Sequence, residues 1–147
     1  MCPLFDKSLV LDNLHEGAML AFSLWRNGHG EAVGIGGVFF RAKDNSALAH
    51  WYATHLGVEE FWTQMAGFTV FSPFKETSDY FPADKQWMIN FRVDDLEALM
   101  GQLRAAGIAI ETRDEWDSPE TGRFARIHDP EGNPIELWEP PPPAPTA

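Results

Sequence analysis

The spacing of apolar and polar positions changes several times along the chain, and each spacing predicts an element. Leu11, Leu14, Ala18, Met19, Phe22 and Trp25 recur at helical intervals, with Asp12 placed to cap the segment and Asn27-Gly28 to end it. A short helix ahead of the main domain is therefore expected, its apolar stripe buried on its own domain or across a subunit interface. A second helical pattern runs through Ala47, Leu48, Trp51, Tyr52 and His55 to Leu56-Gly57, and a third through Leu96, Leu99, Met100 and Leu103 to Ala106-Gly107. Both end at a glycine suited to a left-handed cap. Strand patterns cover residues 37–42, 58–62, 68–74, 88–93, 108–111, 123–128 and 134–138. Between the last two, Asp129-Pro130-Glu131-Gly132-Asn133 reads as a hairpin turn, Pro130 pre-setting one torsion and Gly132 free to take positive φ.

An internal repeat organises these elements. Phe40-Arg41-Ala42-Lys43-Asp44 aligns with Phe91-Arg92-Val93-Asp94-Asp95 at an offset of about 51 residues, and strand, helix, glycine, strand follows twice. The fold class is α+β, built from two similar units. The expected organisation is an N-terminal extension over residues 1–33, a domain over 34–140 with modules at about 34–86 and 87–140, and a Pro-rich tail over 141–147. Consecutive prolines remove backbone donors, so the tail is expected to be extended.

Alternation along a strand assigns faces. Ile89, Phe91 and Val93 oppose Met88, Asn90 and Arg92, while Val38, Phe40 and Ala42 oppose Gly37, Phe39 and Arg41. Ile135 and Leu137 suit the core, which puts Glu136 and Trp138 on the other face with Asn90 and Arg92. A carboxylate between Ile and Leu with aromatics nearby is a candidate ligand or base, and equally a carboxylate facing water on a half-exposed sheet. Arg41 and Arg92 are candidates for anion binding or for pairing with nearby acids. Asn90 stands out because amides are uncommon in strand centres, and either a structural hydrogen bond or a ligand contact accounts for it.

Charge narrows the partners. Eleven Lys+Arg against 22 Asp+Glu give a formal net charge of −11, which repels phosphate backbones and anionic membrane surfaces, so neither nucleic acid nor a membrane is an expected partner. No apolar stretch reaches the length of a bilayer span and the N-terminal pattern does not read as a signal peptide. The single cysteine, Cys2, has no internal partner for a disulfide, which fits a reducing cytoplasm. No nucleophile triad or phosphate loop is present, and Gly34-Ile35-Gly36-Gly37 lacks the strand-to-helix context of a dinucleotide site.

The paired units, together with Gly122-Arg123-Phe124-Ala125-Arg126-Ile127-His128-Asp129-Pro130-Glu131-Gly132-Asn133-Pro134-Ile135-Glu136-Leu137-Trp138-Glu139-Pro140, resemble the glyoxalase/bleomycin resistance/dioxygenase (vicinal oxygen chelate) superfamily. The segment from Met88 to Leu96, Trp51-Tyr52 and His55-Leu56-Gly57 carry the same resemblance, which spans about residues 34–140. It implies paired βαβββ modules whose curved mixed sheets surround a cavity, commonly in a homodimer. In metal-dependent members His or Glu ligands come from the first strand of each module and from late strands. The resemblance puts Glu136 at the last-strand ligand position, but Gly37 and Met88 at the two strand-start positions, and leaves Ser72 or Glu76 for the fourth. One carboxylate does not hold a divalent cation tightly, so no cofactor is expected unless His128, Glu76 or Asp79 rebuild a site for Mn, Fe, Ni or Zn.

Two functions compete on this reading. The first is binding of a small, partly aromatic or apolar molecule in a sheet-lined cavity without the usual metal, with Phe39, Phe124 and Trp138 as walls and Asn90, Arg92 and Glu136 orienting the ligand. The second is a lyase, isomerase or dioxygenase-type enzyme in which Glu136 is the catalytic base or a metal ligand. A structural or interaction subunit is a third reading, to which the N-terminal extension lends weight.

Overall fold

The computed structural model of the chain describes residue 32 and residues 34–142. The helix expected over residues 11–25, Cys2 and the end of the Pro-rich tail lie outside the described residues. Contacts divide the chain into two units, one ending at Arg41 and one beginning at Ala42. Residues 34–41 carry no helix or ladder, and the elements described next all belong to the second unit.

Helix α1 spans Asn45–Leu56 and helix α2 spans Leu96–Ala105. Their starts obey the repeat seen in the sequence. Asp44 accepts from the Ala47 amide at 2.9 Å, and Asp95, its repeat partner, accepts from the Ala98 amide at 2.8 Å. Each carboxylate satisfies one of the amides that a helix N-terminus leaves unpaired. Glu139 adds a second acceptor at the start of α2, taking the Leu96 amide at 2.6 Å. At the other end of α1, Gly57 adopts φ 67°, a left-handed torsion that a side chain would oppose, and Gly107 does the same after α2 with φ 77°.

Strands β1 (Ile89–Arg92), β2 (Arg123–His128) and β3 (Pro134–Glu139) form a mixed sheet in the order β1-β3-β2. Strand β1 runs parallel to β3, pairing Asn90 with Glu136, and β2 runs antiparallel to β3, pairing Arg126 with Glu136. The Asp129 turn closes the β2–β3 hairpin as expected, with Gly132 at φ 77°. The core lies on one sheet face, where Ala125, Ile127, Ile135 and Leu137 meet Leu48 and Tyr52 of α1 and Leu96, Met100 and Leu103 of α2. Phe91 and Val93 pack against this cluster, so the expected apolar face is the one beneath the helices. No helix among the described residues is long and apolar enough to cross a membrane.

The expected strands over residues 37–42, 58–62 and 68–74 differ: none of them forms a ladder, and residues 108–111 contribute one bridge, Glu111 to Arg126. At the start of the 68–74 segment the Arg92 side chain intervenes: it donates from Nη2 to the Met65 carbonyl at 2.5 Å and from Nη1 to the Phe68 carbonyl at 3.2 Å. Gly67 permits this approach, because a Cβ there would collide with the Arg92 guanidinium.

Candidate functional site

Opposite the helices, the register brings Asn90, Glu136 and Arg126 side by side across the three strands. Glu136 is 0% exposed although it faces away from the main core. It accepts from Asn90 Nδ2 at 2.8 Å on Oε1 and from the Tyr80 hydroxyl at 2.5 Å on Oε2, while Arg126 Nη2 stands 3.6 Å from Oε2. Two hydrogen bonds and a guanidinium close by offset the cost of burying this carboxyl group.

Arg126 is itself buried and stacked. Its guanidinium carbon lies 4.4 Å from the Tyr80 ring centroid and 5.1 Å from that of Trp116, and Nη1 donates to the Tyr80 carbonyl at 2.5 Å. Tyr80 is therefore held through its hydroxyl, its carbonyl and its ring, which also stacks on Phe74 at 5.5 Å. Trp116 reaches this place from the short 3-10 turn Asp114–Trp116.

The other candidate residues have distinct places. Phe124 and Trp138 are buried and stacked on one another at 6.2 Å, and the Trp138 indole N–H donates to the Thr121 carbonyl at 2.7 Å. Phe68 covers Trp138 at 5.8 Å. Arg92 lies on the same face, its guanidinium engaged with the backbone of residues 65 and 68. Asn90 is exposed, which leaves it as the solvent edge of the cluster. Phe39 is 88% exposed and belongs to the unit that ends at Arg41.

Sequence reasoning missed Arg126, Tyr80 and Trp116. Arg126 was within reach of it, because it stands two positions from Phe124 on one strand and must share its face. Tyr80 and Trp116 lie outside the strands, where no periodicity marks them. The Glu136 face is covered by Tyr80, Trp116 and Phe68, and a cleft of 370 Å³ runs along α1 between Leu48, Trp51, His55 and Pro130.

A divalent cation does not fit the donors around Glu136. Both carboxylate oxygens already accept hydrogen bonds, and the Arg126 guanidinium occupies the position of a counter-cation. His128, Glu76 and Asp79 are exposed, and no group of three or more His, Cys, Asp or Glu converges among the described residues.

Comparison with known proteins adds the family. TnmS3, an antibiotic binding protein from Streptomyces sp. CB03234, is 25% identical over 66% of this chain and 88% of its own, with a TM-score of 0.40. A glyoxalase/bleomycin resistance protein from the same strain is 31% identical over 37% of this chain and 46% of its own, with a TM-score of 0.28. The trypanothione-dependent glyoxalase I of Leishmania major is 18% identical over 68% of this chain and 81% of its own, with a TM-score of 0.44. No curated protein matches the chain. The match that decides is to the glyoxalase-like domain over residues 37–138, a span that ends on the last aromatic of the Glu136 face, and by it the chain belongs to the glyoxalase-like domain family.

Proposed function

We propose that this chain binds a small, partly aromatic or apolar molecule on the Glu136 face of the sheet, without the usual metal. Members of the family bind small molecules and often form dimers, and the homodimer is part of this reading. The observation that carries it is the convergence of Asn90, Tyr80 and Arg126 on a fully buried Glu136, beside the aromatic pair Phe124 and Trp138. Apolar walls with a few oriented polar groups are the ordinary composition of a ligand site.

The test is a small-molecule screen by thermal shift on the full chain, followed by titration of the captured ligand into Asn90→Ala and Glu136→Gln. Each variant is expected to bind about tenfold more weakly, the worth of one hydrogen bond to a charged group. Unchanged affinity in both variants, with cooperative unfolding retained, overturns the assignment of this face. Metal content is read separately by elemental analysis before and after dialysis against a chelator. Substoichiometric metal and an unchanged melting temperature are expected, and a near-stoichiometric metal whose removal lowers melting overturns the metal-free reading.

A further inference from the structure

The 370 Å³ cleft along α1 has no part in the Glu136 site. Trp51 is its aromatic wall, and the ring stands edge-on to Tyr52 at 5.2 Å between centroids. Tyr52 is anchored through its hydroxyl to Asp129, so this wall has a fixed support. Pro130 and Glu131 bring the β2–β3 turn to the cleft, and Glu131 is held there by the Lys43 and Asp44 amides at 2.9 and 3.0 Å. The lining is therefore an indole and a proline ring with Ala47 between polar groups. His50, His55 and the Trp51 indole are hydrogen-bond donors, and Asp44 and Glu131 disfavour an acidic occupant.

The chain itself carries a segment of matching chemistry. Five of the six residues from Pro140 to Pro145 are proline, and no charged side chain occurs from Pro140 to Ala147, although the formal net charge is −11. Consecutive prolines have no N–H to satisfy, and their carbonyls are free to accept. Aromatic-walled grooves take such segments because the rings pack on an indole and little conformational entropy is lost on binding.

We propose that the cleft along α1 is the docking site for the Pro-rich segment of a second copy of this chain. Strand β3 carries a chain's own segment away from its own cleft. Pro134, at the start of β3, follows the turn that lines the cleft, whereas Glu139, at its end, is bound to the start of α2. At about 3.3 Å per residue these two ends stand about 17 Å apart. A proline run continues extended and does not turn back.

The experiment follows the fluorescence anisotropy of a labelled peptide with the sequence of residues 139–147 as the full chain is titrated in. In the variant with Pro141, Pro142, Pro143 and Pro145 replaced by serine, the competing segment is gone. This variant is expected to bind the peptide about tenfold more tightly than a peptide with alanine at every proline. Adding Trp51→Leu removes the aromatic wall and is expected to weaken binding about tenfold. Ala47→Gln, which fills the cleft from an exposed helical position, has the same expected effect and serves if the leucine variant loses its near-UV circular dichroism. Wild type, titrated beyond the dissociation constant of the peptide, is expected to give a curve shallower than a one-site isotherm, because second copies occupy the clefts as concentration rises. A one-site isotherm places no second copy in the cleft and overturns the inference. Equal binding of the two peptides, no binding, or binding indifferent to Ala47→Gln overturns it as well.

Discussion

Tyr52 shows how much one buried hydroxyl does in this fold. It projects from α1 into the core and donates to Asp129 Oδ2 at 2.9 Å, while Asp129 also accepts from the Glu131 and Asn133 amides and from Asn133 Nδ2. One carboxylate thus ties the β2–β3 turn to the first helix. Burial, followed by the Asp129 charge and the hydrogen bond to it, raises the Tyr52 pKa well above its ordinary value. The sign of the pH dependence follows. Below about pH 10 the phenol is protonated in folded and unfolded chains alike, and its contribution is complete. Above that, unfolded chains release the proton and folded chains do not, so stability falls as pH rises toward the raised folded value. Denaturant unfolding from about pH 8 to about pH 11 is expected to show this decline in wild type and a shallower one in Tyr52→Phe, and equal slopes would show that Tyr52 does not titrate through folding. Legibility at this scale tracked periodicity. The sequence placed Asn90, Arg92, Glu136 and Trp138 on one face because strands alternate, whereas Tyr80 reaches Glu136 across 56 residues from a loop where nothing alternates.

At the scale of elements, the repeat was the most informative signal, and its physical content is a pair of helix starts. Asp44 and Asp95 stand at equivalent repeat positions and cap α1 and α2 in the same way. Asp95→Ala removes the Ala98 acceptor but leaves Glu139 on the Leu96 amide, so the helix loses one of its two bound N-terminal amides. A loss of about 1 kcal/mol in unfolding free energy is expected, with the denaturant slope unchanged, from urea titration. A loss several times larger would mean that the Asp95 side chain holds more than the helix start. The strand patterns of the first repeat were less reliable guides, since alternation states which residues could share a face and not whether a partner strand is present. The Met65 and Phe68 carbonyls accept from Arg92, a side chain that the strand pattern identified without indicating its target.

At the scale of the molecule, apolar surface is unevenly distributed among the described residues. The large exposed hydrophobics among the described residues, including Phe61, Trp62, Met65, Phe68, Val70, Phe71 and Trp87, all precede β1, whereas most of the buried core follows it. Phe61 and Phe71 are 91% and 89% exposed, a degree of exposure that single scattered residues tolerate but a concentration of aromatics does not favour. The homodimer proposed above gives this surface a use, because a second copy offers the same apolar residues in return. Charge opposes that association: each chain carries a formal net charge of −11, and two copies brought together repel. Salt shortens the reach of that repulsion, to about 10 Å at 0.1 M, and leaves apolar contact intact. Sedimentation velocity is therefore expected to give a mass of twice 16.5 kDa, with the dimer fraction rising with ionic strength. The double variant Phe61→Ser, Phe71→Ser shifts it toward the monomer at every salt concentration. A dimer that weakens with salt would instead be held by ion pairs, and one indifferent to both substitutions would use another surface.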